Sequence, residues 1–343
     1  DIITGRTGAD IITGAGGVDT IDGGGAVDTI TGGAGNDSID AGAGDDIIII
    51  ATAGEADGDT IDGGADTDVL KLSTGGTDTF STDNKLQNVE TIQAHASGST
   101  VVLTGQTEAF TITGAGAADT ITGGNAVDTI TGGAGNDIIT GGAGNDIITV
   151  DSGTDTVTDL GGGGSGGDDD VVIVSSGAKL SATGVVDFSA TSATQNNATD
   201  AGSAVLAAAS GGSTMNVSAA TGSAVSFTLT GGAGADIITG STGADIITGG
   251  GGLDSLTGGT GNDIFNIDSA YDTITDLGGV AGGDTDVFVV AGVALLNAIN
   301  IVSFTANNQS SNAGTATFTA KSSGDRTINL SAVTGSGTLF ING

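Results

Sequence analysis

The sequence contains no cysteine, no proline and no tryptophan, and aromatic residues make up only 3% of its 343 positions. Without cysteine, disulfide bonds and thiol chemistry are excluded. The shortage of aromatic side chains indicates a thin core of Ile, Val and Leu, because a broad globular core usually contains more Phe, Tyr and Trp. We therefore expect a narrow fold that something other than disulfides stabilises, and a bound metal is the candidate.

Basic residues are also scarce: six Lys and Arg stand against 41 Asp and Glu, which gives a formal net charge of -35. Nucleic acids and anionic membrane surfaces repel such a polyanion. No apolar run reaches the roughly 18 residues that a membrane span needs. The sequence therefore predicts no nucleic-acid partner and no direct membrane insertion. Its many short Asp carboxylates favour hard cations such as calcium or magnesium.

Glycine is what the sequence has in excess, with 66 residues, and it recurs with a period of nine. Three tandem blocks, beginning at residue 1, Gly114 and Gly231, carry one Asp in each nonapeptide. An insertion after the first series delays its next candidate to Asp59. The three series are Asp1, Asp10, Asp19, Asp28, Asp37 and Asp46; Asp119, Asp128, Asp137, Asp146 and Asp155; and Asp236, Asp245, Asp254, Asp263 and Asp272.

Each nonapeptide divides into two parts. Six Gly-rich residues ending in Asp predict a turn, since Gly tolerates positive φ and close backbone approach. An apolar residue two places after the Asp, such as Ile12 or Ile21, predicts a very short strand with one inward side chain. Because a strand this short does not turn the chain round fully, two nonapeptides should make one coil.

The aspartates of successive coils should then stack on one edge, about 4.8 Å apart, the spacing of neighbouring strands. Without a cation, each adjacent pair would repel by about 3 kcal/mol at an effective dielectric constant near 20. A calcium ion between the two carboxylates turns this repulsion into a net attraction, and carbonyl oxygens of the Gly-rich turns complete the oxygen shell of the ion. All the aspartates of the three series, together with Asp59, are therefore candidate metal ligands. We expect several calcium ions, and folding that depends on them.

The best copies of the repeat, GGAGNDIIT at 132–140 and 141–149, match the calcium-binding pattern G-G-x-G-x-D-x-U-x. On these residues the chain resembles the RTX (repeats-in-toxin) family. The resemblance implies an all-β fold, a right-handed parallel β-roll or β-solenoid. It also implies type I secretion in an unfolded state and folding in calcium-rich surroundings, and hence a secreted or cell-surface protein.

Some positions depart from the pattern. Arg6 stands where the second Gly would be, and Ala26 and Ala126 replace the fourth, so calcium binding is harder to predict there and at the end repeats, which lack a stacking partner. Acidic residues of the exit loops are either further ligands or solvated turn positions. These residues are Asp66, Asp68, Asp168, Asp170, Asp276, Asp284 and Asp286.

The blocks alternate with segments of alternating polar and apolar residues, which predict β structure as extra solenoid turns or a small sandwich. Within them, the Ala-, Ser- and Asn-rich stretch 191–212 is a loop or a short helix. The phrase at 215–232 returns at 328–343, so the chain begins and ends inside its pattern, and we expect it to be a segment of a longer protein. The predicted division is block one at 1–72, a linking segment at 73–113, block two at 114–174, a linking segment at 175–230, block three at 231–290 and a linking segment at 291–343.

No motif for catalysis accompanies the repeats. There is no His-Glu-x-x-His sequence and no cysteine nucleophile, and the only histidine, His95, is expected at the surface or in a strand. We therefore predict that the chain is not an enzyme.

The phrases LQNVETI at 86–92 and NLSAVTGSG at 329–337 resemble bacterial surface-layer (S-layer) proteins of the RTX type. The first hypothesis is thus a structural subunit that self-associates into a lattice. An adhesin stalk or matrix fibre is an alternative, with a cell-surface polysaccharide as a candidate partner. A third hypothesis is an accessory β-roll of a larger secreted enzyme.

Overall fold

The computed structural model describes residues 1–161, 169–198, 204–223, 225–278, 284–301, 303–321 and 327–342. Within these ranges, every regular element is a β-strand, and there is no helix with the length and apolar character needed to cross a membrane. The chain separates into two compact units. The first comprises Asp1–Val157 with Asp170–Val172, and the second comprises Thr158–Asp169 with Ile173–Gly343.

The strands of the first unit are short, and most have three or four residues. They are β1 (Ile2–Thr4), β2 (Ile11–Gly16), β3 (Thr20–Asp22), β4 (Thr29–Ala34), β5 (Ser38–Asp40), β6 (Ile47–Ile50), β7 (Thr60–Asp62), β8 (Val69–Leu72), β9 (Thr77–Thr79), β10 (Leu86–Gln87), β11 (Thr91–Gln93), β12 (Thr100–Val102), β13 (Thr111–Thr113), β14 (Thr120–Thr122), β15 (Thr129–Thr131), β16 (Ile138–Thr140), β17 (Ile147–Val150), β18 (Gly153–Val157) and the beginning of β19 (Val171–Val174).

Strands pair in parallel with the strand one coil away rather than with the next strand along the chain. Ile3 lies beside Ile21, and Ile21 beside Ile39, in the sheet ordered β1-β3-β5-β7-β10. Ile12 lies beside Ile30 in a second sheet that contains β2, β4, β6 and β8. One coil of the regular repeat therefore takes two nonapeptides, as the sequence predicts.

The core is a column of inward side chains, one from a typical three-residue strand and two from four-residue strands such as β6 and β8. In β3 the flanking residues are exposed while Ile21 is only 1% exposed, and Ile30 of β4 is completely buried. The glycines of the turns permit this close stacking. At Gly24, φ is +101°, and an added Cβ would lie 2.5 Å from the carbonyl oxygen of Arg6 in the preceding coil. Ala26 keeps a positive φ of 72° without glycine, a conformation that costs an L-residue about 1–2 kcal/mol.

The linking segment of the first unit continues the solenoid. Leu70 lies beside Ile92, and Ile92 lies beside Ile112, so β11 pairs with the last strand of block one and with β13. In turn, β13 pairs with β15 of block two. A further parallel sheet begins at β9 and runs through β12, β14, β16 and β18. Of the two alternatives for this segment, extra solenoid turns are therefore what the structure shows.

The second unit has the same architecture. Its strands are the end of β19, β20 (Ala178–Val185), β21 (Phe188–Ser189), β22 (Gln195–Asn196), β23 (Ala204–Ala208), β24 (Thr214–Asn216), β25 (Thr228–Thr230), β26 (Ile237–Thr239), β27 (Ile246–Thr248), β28 (Ser255–Thr257), β29 (Ile264–Ile267), β30 (Tyr271–Ile274), β31 (Val287–Val290), β32 (Leu295–Ile301), β33 (Ser303–Thr305), β34 (Ser311–Asn312), β35 (Thr315–Ala320), β36 (Thr327–Asn329) and β37 (Thr338–Asn342).

Two long parallel sheets run through this unit. One contains β20, β23, β25, β27, β29, β31 and β34, and the other runs from β21 through β24, β26, β28, β30, β32 and β35 to β37. The stretch 191–212, expected as a loop or a short helix, contributes β22 and β23 instead. In each unit, the predicted fold class, an all-β parallel solenoid, is confirmed.

Candidate metal centre in the aspartate ladders

Most of the predicted ligands lie at the ends of the Gly-rich turns, directly before the strands, whereas Asp155 and Asp272 lie inside β18 and β30. Asp1 is exposed and Asp10 is half-buried. The other predicted ligands are at most 2% exposed. Buried carboxylates of this kind must be paired with a cation, hydrogen-bonded or protonated.

One carboxylate oxygen of each stacked aspartate accepts a backbone hydrogen bond from the coil before it. The N–H of Asp10 donates to Oδ1 of Asp28 at 2.7 Å, and the N–H of Asp28 donates to Oδ1 of Asp46 at 2.7 Å. We call such a column an aspartate ladder, and its existence confirms the predicted stacking at intervals of 18 residues. The same bond joins Asp19 to Asp37, Asp119 to Asp137, Asp137 to Asp155, Asp128 to Asp146, Asp236 to Asp254, Asp254 to Asp272 and Asp245 to Asp263.

The ladders continue where the nine-residue spacing breaks. The N–H of Asp37 donates to Asp59, and the N–H of Asp46 donates to Asp68, both across 22 residues. Asp170 and Asp286 accept the equivalent bonds from Asp146 and Asp263. Thus Asp68, Asp170 and Asp286, which sequence reasoning left open, are ladder members.

The other exit-loop acids hold different positions. Asp276 accepts hydrogen bonds from the N–H groups of Gly258 and Gly259. Asp66 has a positive φ of 84°, and Asp284 is half-buried. Asp168 lies outside the described residues.

Glu90 was missed by the sequence analysis. Its Oε2 accepts a 2.7 Å hydrogen bond from the N–H of Asp68, so it extends the ladder after Asp68 with a longer carboxylate. The available signal was its place directly before the short strand β11. At the start of other ladders no acidic side chain is needed, because backbone N–H groups of Ser99 and Phe110 donate to the first aspartates.

The second carboxylate oxygen, Oδ2, is the atom that indicates a metal. In several ladder members it is buried without a hydrogen-bond donor, although buried polar atoms normally have one. A cation bound by these oxygens would satisfy them. The members are Asp19, Asp28, Asp37, Asp46, Asp68, Asp137, Asp155, Asp254 and Asp272.

Most of these Oδ2 atoms face a small space formed by the first glycine of the turn, namely those of Asp19, Asp28, Asp37, Asp68, Asp137 and Asp254. Ala41, Val150 and Ile267 hold that position before Asp46, Asp155 and Asp272. A Cβ added to Gly14 would lie 2.5 Å from Oδ2 of Asp19 and close to the carbonyl oxygen of Gly32 in the next coil. At Gly63 it would lie 2.6 Å from Oδ2 of Asp68. Carboxylate and carbonyl oxygens at about 2.3–2.6 Å are the environment that calcium takes in proteins. These residues therefore fit calcium.

Electrostatics also favour a bound cation. Burial raises the pKa of Asp155 to about 6, and the neighbouring charge of Asp137 adds to the rise although the Asp137 N–H opposes it. Burial likewise raises the pKa of Asp263 to about 8. The carboxylates are thus held in an environment that disfavours uncompensated negative charge.

Two of the basic side chains lie at ladder ends. The guanidinium of Arg6 donates to Oδ1 of Asp10 at 3.1 Å, and the backbone and side-chain hydrogen bonds of Arg6 hold the pKa of Asp10 below its usual value. Lys85 donates from Nζ to the carbonyl oxygen of Gly58 at 2.9 Å, where its charge partly offsets the raised pKa of Asp59.

His95 lies in the turn after β11 and is half-buried. Its Nδ1 is 2.8 Å from Oγ of Ser97, two residues away. The contact is local, between neighbours in one turn.

A family model described as the RTX calcium-binding nonapeptide repeat (4 copies) matches residues 1–30, 22–49, 111–138, 122–157 and 230–265. The matched ranges contain every predicted ligand except Asp59 and Asp272. A search of curated proteins gave no match. The family match confirms the resemblance inferred from the repeats, and the calcium cofactor with it. Proteins with these repeats are typically secreted.

Proposed function

Since this chain is a calcium-binding protein with RTX repeats, we propose that it is a subunit of a bacterial surface layer, whose folding and lattice assembly need calcium. The observation that supports this most directly is the continuity of the solenoid. In the first unit, the segment between the two blocks is itself part of the coil. Repeats and linking segment therefore form one continuous solenoid in this unit, and such a continuous framework suits a structural role.

Self-association is the second part of the proposal. Large apolar side chains are exposed on strands and turns: Ile11 in β2 is 87% exposed, and Ile138 in β16 and Val127 in the turn before β15 are about half exposed. Exposed apolar surface of this kind is typical of contact regions between proteins. A lattice of identical subunits would cover it, and a cell-surface polysaccharide is the proposed anchor.

We further propose that the chain is not an enzyme and leaves the cell by type I secretion. Its most deeply buried repeat carboxylates are committed to the ladders, where backbone N–H groups hold them. A cysteine-free chain with a formal net charge of -35 resists compaction where calcium is scarce, since stacked carboxylates repel. It would fold once outside the cell.

Electron microscopy of the purified chain tests the lattice. With calcium, two-dimensional sheets are expected; EDTA should dissolve them, and renewed calcium should restore them. Magnesium at the same concentration is the control, because it demands a stricter octahedral geometry than these turns supply.

A chain that is folded by circular dichroism but monomeric by sedimentation in saturating calcium would contradict the lattice. If that monomer bound cells or surface polysaccharide, the adhesin stalk or matrix fibre would replace it. If the longer gene product carried a catalytic motif outside these residues, the accessory role would replace it.

A further inference from the structure

The first coil of the solenoid, residues 1–14, is repeated almost exactly inside the second unit. Residues 1–14 read DIITGRTGADIITG and residues 236–249 read DIITGSTGADIITG, so the two segments differ only where Arg6 replaces Ser241. Each segment forms two short strands, β1 and β2 in one and β26 and β27 in the other. The two segments therefore offer nearly the same groups to a coil that packs before them.

Inside the second unit, such a coil is present before residues 236–249. Its strands β24 and β25 pair in parallel with β26 and β27. Leu229 lies beside Ile247, and both side chains are completely buried. The N–H of Phe227 donates to Oδ1 of Asp245 at 2.6 Å. This junction shows which contacts the sequence DIITG-x-TGADIITG makes when it is covered.

The last coil, residues 327–342, has the same local geometry as the coil 214–230 that makes this junction. Its strand β36 reads TIN where β24 reads TMN. In both strands the final asparagine, Asn329 or Asn216, accepts a hydrogen bond at 3.0 Å from the N–H of the serine two residues later. The two coils are therefore equivalent in conformation as well as in sequence.

A second pair of hydrogen bonds fixes the register between these two coils. Asn196 donates from Nδ2 to the carbonyl oxygen of Ser226 at 2.7 Å. Asn312 donates in the same way to the carbonyl oxygen of Thr338 at 2.9 Å. Thr338, the first residue of β37, thus corresponds to Ser226, the residue two places before β25.

Inward side chains of the last coil are left uncovered. By this register Leu339 corresponds to Phe227, and Ile341 corresponds to Leu229. Phe227 and Leu229 are 2% and 0% exposed, whereas Leu339 and Ile341 are 38% and 57% exposed. Ile341 occupies an inward position, since it lies beside the buried Phe318 of β35. A further coil is what covers the equivalent side chains inside the unit.

The first coil is uncovered in the matching way. Asp245 is 1% exposed, but its equivalent Asp10 is half-buried. The guanidinium of Arg6 donates to Oδ1 of Asp10, the oxygen that in Asp245 accepts the N–H of Phe227. The Arg6 side chain is 86% exposed. Because an ion pair this exposed is weak, a backbone N–H can displace it.

We propose that the last coil of one copy binds the first coil of a second copy, as β24 and β25 bind β26 and β27 within the chain. In this contact Ile341 lies beside Ile12 of the second copy, and the N–H of Leu339 donates to Oδ1 of its Asp10. The second copy is the occupant because it carries the one coil sequence that the internal junction shows bound, and unpaired strand edges are templates for pairing.

The contact is head-to-tail, because the two surfaces that meet are different ends of the chain. Each pair of copies therefore keeps one free end of each kind, and association can continue. The proposal rests on the proposed surface-layer function, since it specifies one contact of the self-association that this function needs.

Sedimentation velocity over a range of protein concentrations tests the contact, in saturating calcium. Salt at about 0.15 M limits the repulsion between the acidic copies to about 8 Å. The unchanged chain should form oligomers as its concentration rises. Ile341→Asp places a carboxylate at the centre of the contact and should raise the dissociation constant at least about tenfold. An unchanged chain that stays monomeric would overturn the proposal, as would an Ile341→Asp chain that associates equally well.

Val293→Asp is the matched control. Val293 is 84% exposed and lies in the turn before β32, a strand two coils from β37. This variant adds the same charge to an exposed apolar position of the same unit. It should associate as the unchanged chain does, and an equal loss of association in both variants would overturn the assignment to the last coil.

Disulfide trapping covers the case in which Ile341→Asp disturbs the last coil itself. Thr230 lies beside Thr248, so Asn342 should lie beside Thr13 of the second copy. Because the chain has no cysteine, Thr13→Cys and Asn342→Cys each introduce a single thiol. Adjacent strands lie about 4.8 Å apart, within the Cα separation that a disulfide spans. A mixture of the two variants should give disulfide-linked dimers in oxidising buffer, at least about tenfold more than either variant alone.

No excess of dimers in the mixture would overturn the head-to-tail contact. Thr13→Cys mixed with Val293→Cys is the control for random collision and should give only the yield of the single variants.

The contact and the lattice can fail separately. Two-dimensional sheets that form equally well from Ile341→Asp, with no excess of trapped dimers, would overturn the contact and leave the lattice standing. Oligomers that Ile341→Asp abolishes, in a chain that forms no sheets, would support the contact and contradict the lattice.

Discussion

One aspartate in each nonapeptide has two functions, and its two oxygens divide them. Oδ1 accepts a backbone N–H from the preceding coil, whereas Oδ2 has no donor in members such as Asp28 and Asp46 and is left for a cation. In the members at the start of the later blocks, Oδ2 also accepts an N–H from its own turn; these are Asp119, Asp128, Asp236 and Asp245. The recurrence of Asp at this position therefore has two causes, a hydrogen bond and a metal ligand. The sequence analysis recognised only the second, because a hydrogen bond between side chain and backbone leaves no mark in the repeat.

Substitutions at Asp28 separate the two functions. Asp28→Asn keeps an oxygen for the N–H of Asp10 but removes the charge, so we expect unchanged or higher stability without calcium and a reduced gain with it. Asp28→Ala leaves that N–H without its acceptor and should lose about 1–3 kcal/mol in both conditions. Thermal unfolding followed by circular dichroism, with and without calcium, measures the stability of both variants in the two conditions. A full calcium gain in Asp28→Asn would contradict the ligand role.

The raised pKa values of the ladders predict opposite pH responses for the two states. Burial raises the pKa of Asp245 to about 6 and that of Asp263 to about 8, above the ordinary value of an aspartate carboxyl group. The metal-free fold holds protons that the unfolded chain has released. Its stability should therefore be greatest near pH 4 and fall as pH rises towards 8.

The stability of the calcium-loaded fold should instead rise with pH, because calcium binds the deprotonated carboxylates and is displaced as the pH falls. Unfolding temperatures across this pH range, for dialysed and for calcium-saturated protein, provide the measurement. A metal-free fold that gained stability between pH 5 and pH 8 would contradict the assignment.

At the scale of the element, the glycine that opens most of the turns is a structural requirement of the ion site there. Gly14→Ala would place a methyl group 2.5 Å from Oδ2 of Asp19, so we expect weaker calcium binding and lower stability. Gly8→Ala is the matched control, since a Cβ there meets nothing within 4 Å. It should be neutral or stabilising by up to about 1 kcal/mol. Calcium titration of both variants tests this prediction. Equal calcium affinities of Gly14→Ala and Gly8→Ala would contradict the role of Gly14 in the ion site.

The strands contribute one or two inward side chains each, so the loss of stability on truncating a side chain should depend on whether that side chain points inward. Ile30→Ala, at a completely buried position, should lose about 2–5 kcal/mol. Ile11→Ala, at a side chain that is 87% exposed, should change stability by less than about 0.5 kcal/mol. Denaturant unfolding in saturating calcium tests the pair. Similar losses at both positions would show that the core is assigned wrongly.

The regularity of the coil determines how much of the fold and of the candidate site could be predicted from the sequence. Where the period is nine, strand position, inward side chain and ladder register all follow from it, as at Ile12 and Asp28. Where coils lengthen to 22 residues, as between Asp46 and Asp68, the period fails, although the ladder persists. Asp68 was left open and Glu90 was missed for this reason, since their register depends on pairing between coils rather than on spacing along the chain.

Across the whole molecule, a thin core and stacked negative charge should make folding depend on calcium. Far-ultraviolet circular dichroism should show little β structure after exhaustive chelation and a cooperative gain on calcium addition. Stability should continue to rise with free calcium, since each ion binds the folded state. Equal β content in both conditions would contradict this, and magnesium again serves as the control.

The pairing of each coil with only its two neighbours has a consequence for how such a chain can change length. A solenoid accepts a duplicated pair of nonapeptides as one more coil, which adds a strand to each sheet and a rung to each ladder. The 22-residue coils at Asp59 and Asp68 show that even an irregular insertion keeps this arrangement. Such a protein can grow by copying a stretch of its own gene, without a new fold having to arise.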